Sequence, residues 1–400
     1  MPRRNDRRPR PVGGLAAVVT AVVLSSAALP AHAVPEGSVA GAGRPGSVAG
    51  SYLVTLREGI KGASASGRDV AGRYGATISH TYGSVLNGYA VRASAEQARR
   101  LAADPRVASV VQDSRVRSAR TRADPPSWGP ARADRAEPPL DRSYRRPASD
   151  GAGVTVYVID TGVRISSRDF GGRASYGWDF VDGDGSAGDG NGHGTHVAGI
   201  VAGTRYGVAR KARVVSVRVM DDTGAGTTAQ VIAGIDWVTA HARRPAVANL
   251  SLGGAHNAQL DAAVRNSIRS GVTYTVAAGN NARPAAGYSP ADVPQALVVG
   301  ATDRTGTRAA FSDYGPAVDL FAPGVAITSD SNRSDTATAA DSGTSMAAPH
   351  VAGAAALYLA DRPRATPARV AAALIAGAAS GKVSDVGPGS PNRLLRVPEP

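Results

Sequence analysis

Five short, almost unbroken apolar runs constrain this chain more than any other feature. They are VTVYVID at 154–160, VVSVRVM at 214–220, VANLSL at 247–252, TYTVAAG at 273–279 and ALVVGAT at 296–302. Each has the length of a strand and is too short for an ordinary helix. A half-exposed strand would alternate apolar and polar residues, so continuous runs imply a parallel sheet buried on both faces. Helical stretches separate the runs, at 193–203, 229–243 and 259–270. That alternation predicts an α/β domain built on a doubly wound, mainly parallel sheet.

The region ahead of the runs is organised differently. MPRRNDRRPR is basic, 13–29 is apolar, and Ala31-His32-Ala33 has a small-x-small cleavage pattern. Residues 1–33 therefore read as a secretory signal peptide. The apolar stretch falls short of the roughly 20 residues that a spanning helix needs. Arg3-Arg4 and Arg7-Arg8 leave both the general and the twin-arginine export routes open. Residues 34–50, rich in Gly, Pro and Ser, are expected to be a flexible linker. From 51 to 117 the pattern is strand, helix, strand, strand, helix, strand, the order of a small α+β ferredoxin-like domain. Ser94 and Gln97 have capping-box spacing at its second helix. The stretch 118–124 is a polar, Arg- and Ala-rich boundary, and 125–400 forms the second domain.

Charge and cysteine content narrow the function. The net charge is +13, but residues 1–123 carry 18 Lys and Arg against 7 Asp and Glu. The remainder carries 27 against 25, so the larger domain lacks the basic excess of a nucleic-acid binder. No cysteine is present, which removes disulfides, thiolate catalysis and Cys-ligated zinc. A soluble, exported monomer is expected, with no nucleic-acid or membrane partner after signal removal.

In open α/β sheets, chemistry gathers at the carboxyl ends of strands. The first run ends at Asp160-Thr161-Gly162, which by itself reads equally as a turn. NGHGTHVAG follows, with His193 and His196 at a helix start. A zinc pair there lacks a third ligand, and Gly194 stands where H-E-x-x-H has its glutamate. The 273–279 run leads into Asn280-Asn281, ordinary turn residues in isolation. DSGTSMAAPH at 341–350 precedes an alanine-rich run, so Thr344 and Ser345 suit a helix start and Pro349 suits its first turn. Together these segments supply an acid, an imidazole, an amide and a serine. Acyl transfer needs that set: a base to take the serine proton, a carboxylate to hold the base, and donors for the oxyanion.

VIDTGV, NGHGTHVAG, NLSLGG, VAAGNN and SGTSMAAPHVAG resemble the hallmark segments of the subtilisin-like serine peptidases, and within them the proteinase K branch. The order Asp, His, Ser along the chain is also that of subtilisin. The resemblance spans about residues 125–380 and implies a triad of Asp160, His193 and Ser345. Asn280 would donate to the oxyanion beside the Ser345 N–H. Gly224-Ala225-Gly226 and Ser251-Leu252-Gly253 would pair with extended substrate. Ala277, Ala278 and Gly279 would line the pocket for the residue before the scissile bond, and such small walls favour aromatic and large aliphatic side chains. Residues 51–117 resemble the family's inhibitory propeptide, an intramolecular inhibitor and folding template released by self-cleavage near 117–124.

The same resemblance implies a structural calcium, held by Pro294 and Ala296 carbonyls and the Asp319 carboxylate, and no organic cofactor. Asp341 departs from the family pattern. Facing the cleft, it would favour a protonated His193 and disfavour acidic substrates; facing away, it would do neither. The implied function is a secreted serine endopeptidase made as a zymogen. The alternatives are a silent binding protein on the same fold and a serine–glutamate peptidase, the latter disfavoured by the intact HGTH segment.

Overall fold

The computed structural model describes residues 36–118, 121–122, 128–134 and 144–397. The expected signal peptide lies outside them. The N-terminal module contains β1 (Ser47–Leu56), α1 (Ala65–Gly72), β2 (Thr77–Tyr82), β3 (Gly88–Arg92), α2 (Ala95–Ala102) and β4 (Val107–Ser118). Its strands pair antiparallel in the order β4-β1-β3-β2, as the ferredoxin-like pattern requires. Tyr52, Val54, Val70, Leu101 and Val110 pack between helices and sheet. The capping box forms as spaced: Gln97 N–H donates to Ser94 Oγ, and Ser94 N–H donates to Gln97 Oε1.

The linker reading of 34–50 needs correction over its described part. Val39–Ala40 pairs parallel with Val110 and Val111, and β1 already begins at Ser47. Gly41, Gly43 and Gly46 all take positive φ, so their glycines make a tight reversal rather than a loose tether.

The larger domain contains β5 (Thr155–Asp160), β6 (Ala174–Asp179), α3 (His193–Ala202), β7 (Arg213–Arg218), β8 (Ala225–Thr227) and α4 (Thr228–His241). It continues with β9 (Ala246–Leu250), β10 (Leu252–Ala255), α5 (Ala258–Ser270), β11 (Thr273–Ala277) and β12 (Leu297–Thr302). β13 (Leu320–Pro323), β14 (Ile327–Asp330), β15 (Thr338–Ser342), α6 (Thr344–Asp361) and α7 (Pro367–Gly377) complete it. Seven strands run parallel in the order β13-β12-β11-β9-β5-β7-β6. Four of the five apolar runs form its centre and the fifth is β7.

Both faces of the sheet are covered. On one, Val197, Ile200 and Val201 of α3 and Val351 and Leu357 of α6 pack on Val156 and Val158. On the other, Ile232 and Ile235 of α4 and Leu260 and Val264 of α5 pack on Ile159 and Val217. Each fully buried aliphatic side chain of this kind contributes about 1.5–3 kcal/mol. α6 is apolar nearly all round, as a helix through the middle of a domain must be.

Leu53, Tyr82 and Val85 of the module join the second cluster, so the module sits on the α4–α5 face. Asp236 of α4 accepts the N–H groups of Gly83, Ser84 and Val85, while Asp113 of β4 accepts that of Ala229. The end of β4 runs antiparallel to two strands of the larger domain at once. Val116 and Arg117 face Gly226 and Ala225 of β8, and Val116, Arg117 and Ser118 face Gly254, Gly253 and Leu252 of β10.

Candidate active site

Asp160 is the last residue of β5, and His193 opens α3. Both are fully buried, and Asp160 Oδ1 lies 2.7 Å from His193 Nδ1. The same oxygen accepts the Thr161 N–H at 2.7 Å. With Nδ1–H committed to the carboxylate, Nε2 carries the free lone pair. His193 Nε2 makes no hydrogen bond.

The turn that carries His193 is held by a residue the sequence reading passed over. Gly192 precedes α3 without a capping side chain. Asp189 fills that role from three residues earlier, accepting from the N–H groups of Asn191, Gly192 and Thr195 and from the hydroxyls of Thr161 and Thr195. Burial pushes its carboxyl pKa up, and these donors oppose the shift. An Asp placed in D-G-N-G just before a helix is the signal that could have found it. Gly194 is required by contact: a Cβ there would lie 2.1 Å from the Gly162 carbonyl oxygen.

Ser345 occupies the second position of α6, after Thr344. Its N–H is one of the unpaired donors of a helix start, as the helix-opening reading requires. Asn280, just beyond β11, accepts on Oδ1 from both the N–H and the hydroxyl of Thr344, at 2.9 Å each. Thr344 Oγ1 in turn accepts the Gly279 N–H.

Pro349 lies inside α6, not in its first turn as the sequence suggested. An ordinary residue there would donate to the carbonyl four residues back, which is Ser345. The Ser345 oxygen instead accepts from Ser251 Oγ at 2.8 Å. Ser251 Oγ also accepts from Asn249 Nδ2, and Thr275 Oγ1 holds the Asn249 carbonyl end. The Ser345 hydroxyl donates to the Ser251 carbonyl at 2.9 Å. Asp160 and His193 are thus joined, while the serine hydroxyl is turned toward β10.

Leu252, Gly253, Ala277, Ala278, Gly279 and Ser345 border a cavity of about 380 Å³ that Arg115 and Arg117 of the module also line. No Asp or Glu is among its lining residues. Ser118 N–H donates to the Gly224 carbonyl at 3.1 Å, so Gly224, Ala225 and Gly226 form one wall of the groove that holds the tail. Beyond that point the chain pairs again: Thr121 faces Ser342 and Arg122 faces Asp341.

His196 is a packing residue. Its Nε2 lies 2.9 Å from the Ile327 carbonyl and 3.1 Å from that of Ala339. Asp341 is buried, with Oδ2 at 4.0 Å from His196 Nε2. Burial lowers the His196 pKa to about 4, with Asp341 pulling the other way. Asp341 therefore faces the core side of α3. Of the three residues expected at calcium, Asp319 is largely buried and accepts the Val298 N–H at 2.8 Å. Burial pushes its carboxyl up to about 6 against the pull of Arg393. Pro294 and Ala296 sit on the turn that leads into β12.

Residues 151–395 match the subtilase family, and 51–119 match the peptidase inhibitor I9 family. An extracellular serine proteinase of Thermus sp. (strain Rt41A) is 44% identical over 96% of this chain and 99% of its own length. A cuticle-degrading serine protease of Arthrobotrys oligospora is 38% identical over 94% of this chain and 97% of its own. The crystal structure of a cold adapted subtilisin-like serine proteinase superposes with a TM-score of 0.67 at 48% identity, covering 69% of this chain and 99% of that one. This chain belongs to the subtilase family of serine peptidases and carries an I9 inhibitor module ahead of its peptidase domain.

Proposed function

We propose that the chain is a secreted serine endopeptidase made as a zymogen that cleaves its own module free. One observation carries this reading. The module's tail, 115–118, is paired as a strand between β8 and β10, the latter bordering the same cavity as Ser345, and the chain pairs again at 121–122 with Asp341 and Ser342. A substrate bound by strand addition would take that path. Export is supported by the basic, apolar and small-x-small order of residues 1–33 and by the extracellular relative.

In this reading Ser345 Oγ turns from the Ser251 carbonyl to His193 Nε2, which takes its proton as the oxygen attacks the scissile carbonyl carbon. Asp160 holds the imidazole tautomer and stabilises the imidazolium. The Ser345 N–H and Asn280 Nδ2 receive the developing oxyanion. His193 then returns the proton to the leaving amine, and water reverses the sequence to free the acyl group. The apolar cavity beside Ala277, Ala278 and Gly279 takes an aromatic or large aliphatic side chain. Until release, the tail denies that groove to other peptides.

Calcium is part of the proposal. Asp319 fits it, because a buried carboxylate whose charge is penalised gains from a cation beside it. The carbonyls of Pro294 and Ala296 would complete the protein's share of ligands, and the ion would brace the turn ahead of β12.

The paired flanks support self-cleavage between Ser118 and Thr121. The test is N-terminal sequencing of the secreted protein, wild type and Ser345→Ala, with fluorophosphonate labelling of both. The expected wild type starts at residue 119, 120 or 121 and labels; the variant keeps its module and does not label. Labelling that persists in the variant, or the same cleavage without Ser345, would overturn the reading.

A further inference from the structure

Asp261, in the first turns of α5, is buried to within 3% of complete exclusion at its side chain, yet its Oδ1 has no hydrogen-bond partner. A carboxylate oxygen in that position loses water and gains nothing in return. Two further groups converge on it. His256, just past the end of β10, places Nδ1 at 3.6 Å from Asp261 Oδ2 and 2.7 Å from Asp292 Oδ2. Asp292 Oδ1 is likewise buried without a partner. One ligand atom from each of the three residues can be chosen so that all lie within 4.8 Å of one another.

Two close carboxylates repel, and one imidazolium can neutralise only one of them. A divalent ion would neutralise both and occupy the unpartnered oxygens. We propose that His256, Asp261 and Asp292 form a binding site for a borderline divalent metal of the zinc class, separate from the catalytic residues. One imidazole and two carboxylates are the donor set of such ions, whereas calcium takes oxygen ligands alone. His256 is half exposed, so the ion has a route in and water can fill the fourth position.

The ligands come from elements already fixed to one another. Gly254 and Ala255 of β10 pair with Ser289 and Tyr288, which lead to Asp292. Asn257 caps α5 through the N–H groups of Gln259 and Leu260, and its own N–H donates to Ser289 Oγ. Tyr288, Ser289 and Gly254 also border the cavity beside Ser345. Metal there would tie the outer wall of the substrate groove to α5.

The test uses the full chain carrying Ser345→Ala, stripped of metal and kept in excess calcium so that any oxygen-only site is filled. Zinc is titrated by calorimetry, and cobalt is added in parallel to read ligand-field absorption. The expectation is one equivalent of zinc, a rise in melting temperature, and a cobalt spectrum of low coordination number. His256→Gln and Asp292→Asn, both at exposed or partly exposed positions, should each weaken zinc by more than about 100-fold, beyond what loss of an outer contact does. Absence of stoichiometric zinc binding to folded protein, or zinc and cobalt signals unchanged in both variants, would overturn the proposal. None of these readouts depends on peptidase activity, so the proposal and the enzyme reading fail separately.

Discussion

The two halves of the proposed catalytic site are built by different means. The acid–base half rests on charge inside a dry block: Asp160 and His193 are fully buried and in contact, and Asp189 ties five donors to the turn that holds them. The serine half rests on a helix end, with Asn280 and Thr344 locked together and Ser345 exchanging hydrogen bonds with Ser251 in both directions. The first half is assembled while the module's tail fills the groove; in the second, the hydroxyl is turned aside. In the proposed mechanism, the acid–base pair is thus preorganised and the serine is what changes on activation.

The hardest test of that contrast is Asn280→Ala. Its Oδ1 accepts two hydrogen bonds from Thr344, so the side chain orders the helix end and, in the proposed mechanism, offers Nδ2 to the oxyanion. A loss of about 10²–10³ in kcat with little change in KM is expected, a magnitude that comes from subtilisin itself. Because the acid–base half is separate, fluorophosphonate labelling should slow without disappearing. A variant that loses labelling altogether would show that the two halves are not independent.

His196, one turn after His193, probes the other half. The unfolded chain takes up its proton near the ordinary histidine value of about 6.5, the folded chain only near 4. Between those values the unfolded state binds more protons, so the stabilisation is complete above about 6.5 and is lost as pH falls toward 4. The ceiling is about 3 kcal/mol. His196→Gln keeps a donor for the Ile327 and Ala339 carbonyls and removes the titration. In a Ser345→Ala background, unfolding free energies measured from pH 4 to 6.5 should fall less steeply for the glutamine variant. Parallel curves would mean that α3 is not the dry block described. His350 is lowered to about 4 as well and leaves a shared slope in both proteins.

The same contrast separates what the sequence reveals from what it hides. Strands buried on both faces write themselves as apolar runs, so β5, β7, β9, β11 and β12 were legible, and with them the strand ends that carry Asp160 and Asn280. β6 was not: all its residues but Asp179 are exposed or half-buried, so it shows no apolar run, and Gly177 interrupts it. β13 is four residues long and ends in Pro323. Pairing of 39–40 with β4 was hidden because glycine-rich composition looks the same in a tether and a turn. Asp189 holds the turn that carries His193 through backbone donors, and its only local trace is an acid among glycines just ahead of a helix, easily read as an ordinary turn. The orientation of Asp341 toward His196 follows from packing between β15 and α3, which no local pattern encodes.

Pro349 is the clearest case, and it leads to the finest test. It removes the N–H that would close the helix onto the Ser345 carbonyl, and Ser251 supplies a hydroxyl in its place. Ser251→Ala should leave a buried carbonyl unpaired and cost about 1–3 kcal/mol, read as a drop in unfolding free energy. Pro349→Ala alone offers a second donor to an oxygen already satisfied and should change little. Combined, the new N–H can take over from the lost hydroxyl, so the double variant should be more stable than Ser251→Ala. A positive coupling of that kind would show that the serine half is held by a substituted helix bond. Strict additivity would mean that Ser251 acts through Asn249 and β10 alone, and that the serine is positioned by that strand rather than by the helix that carries it.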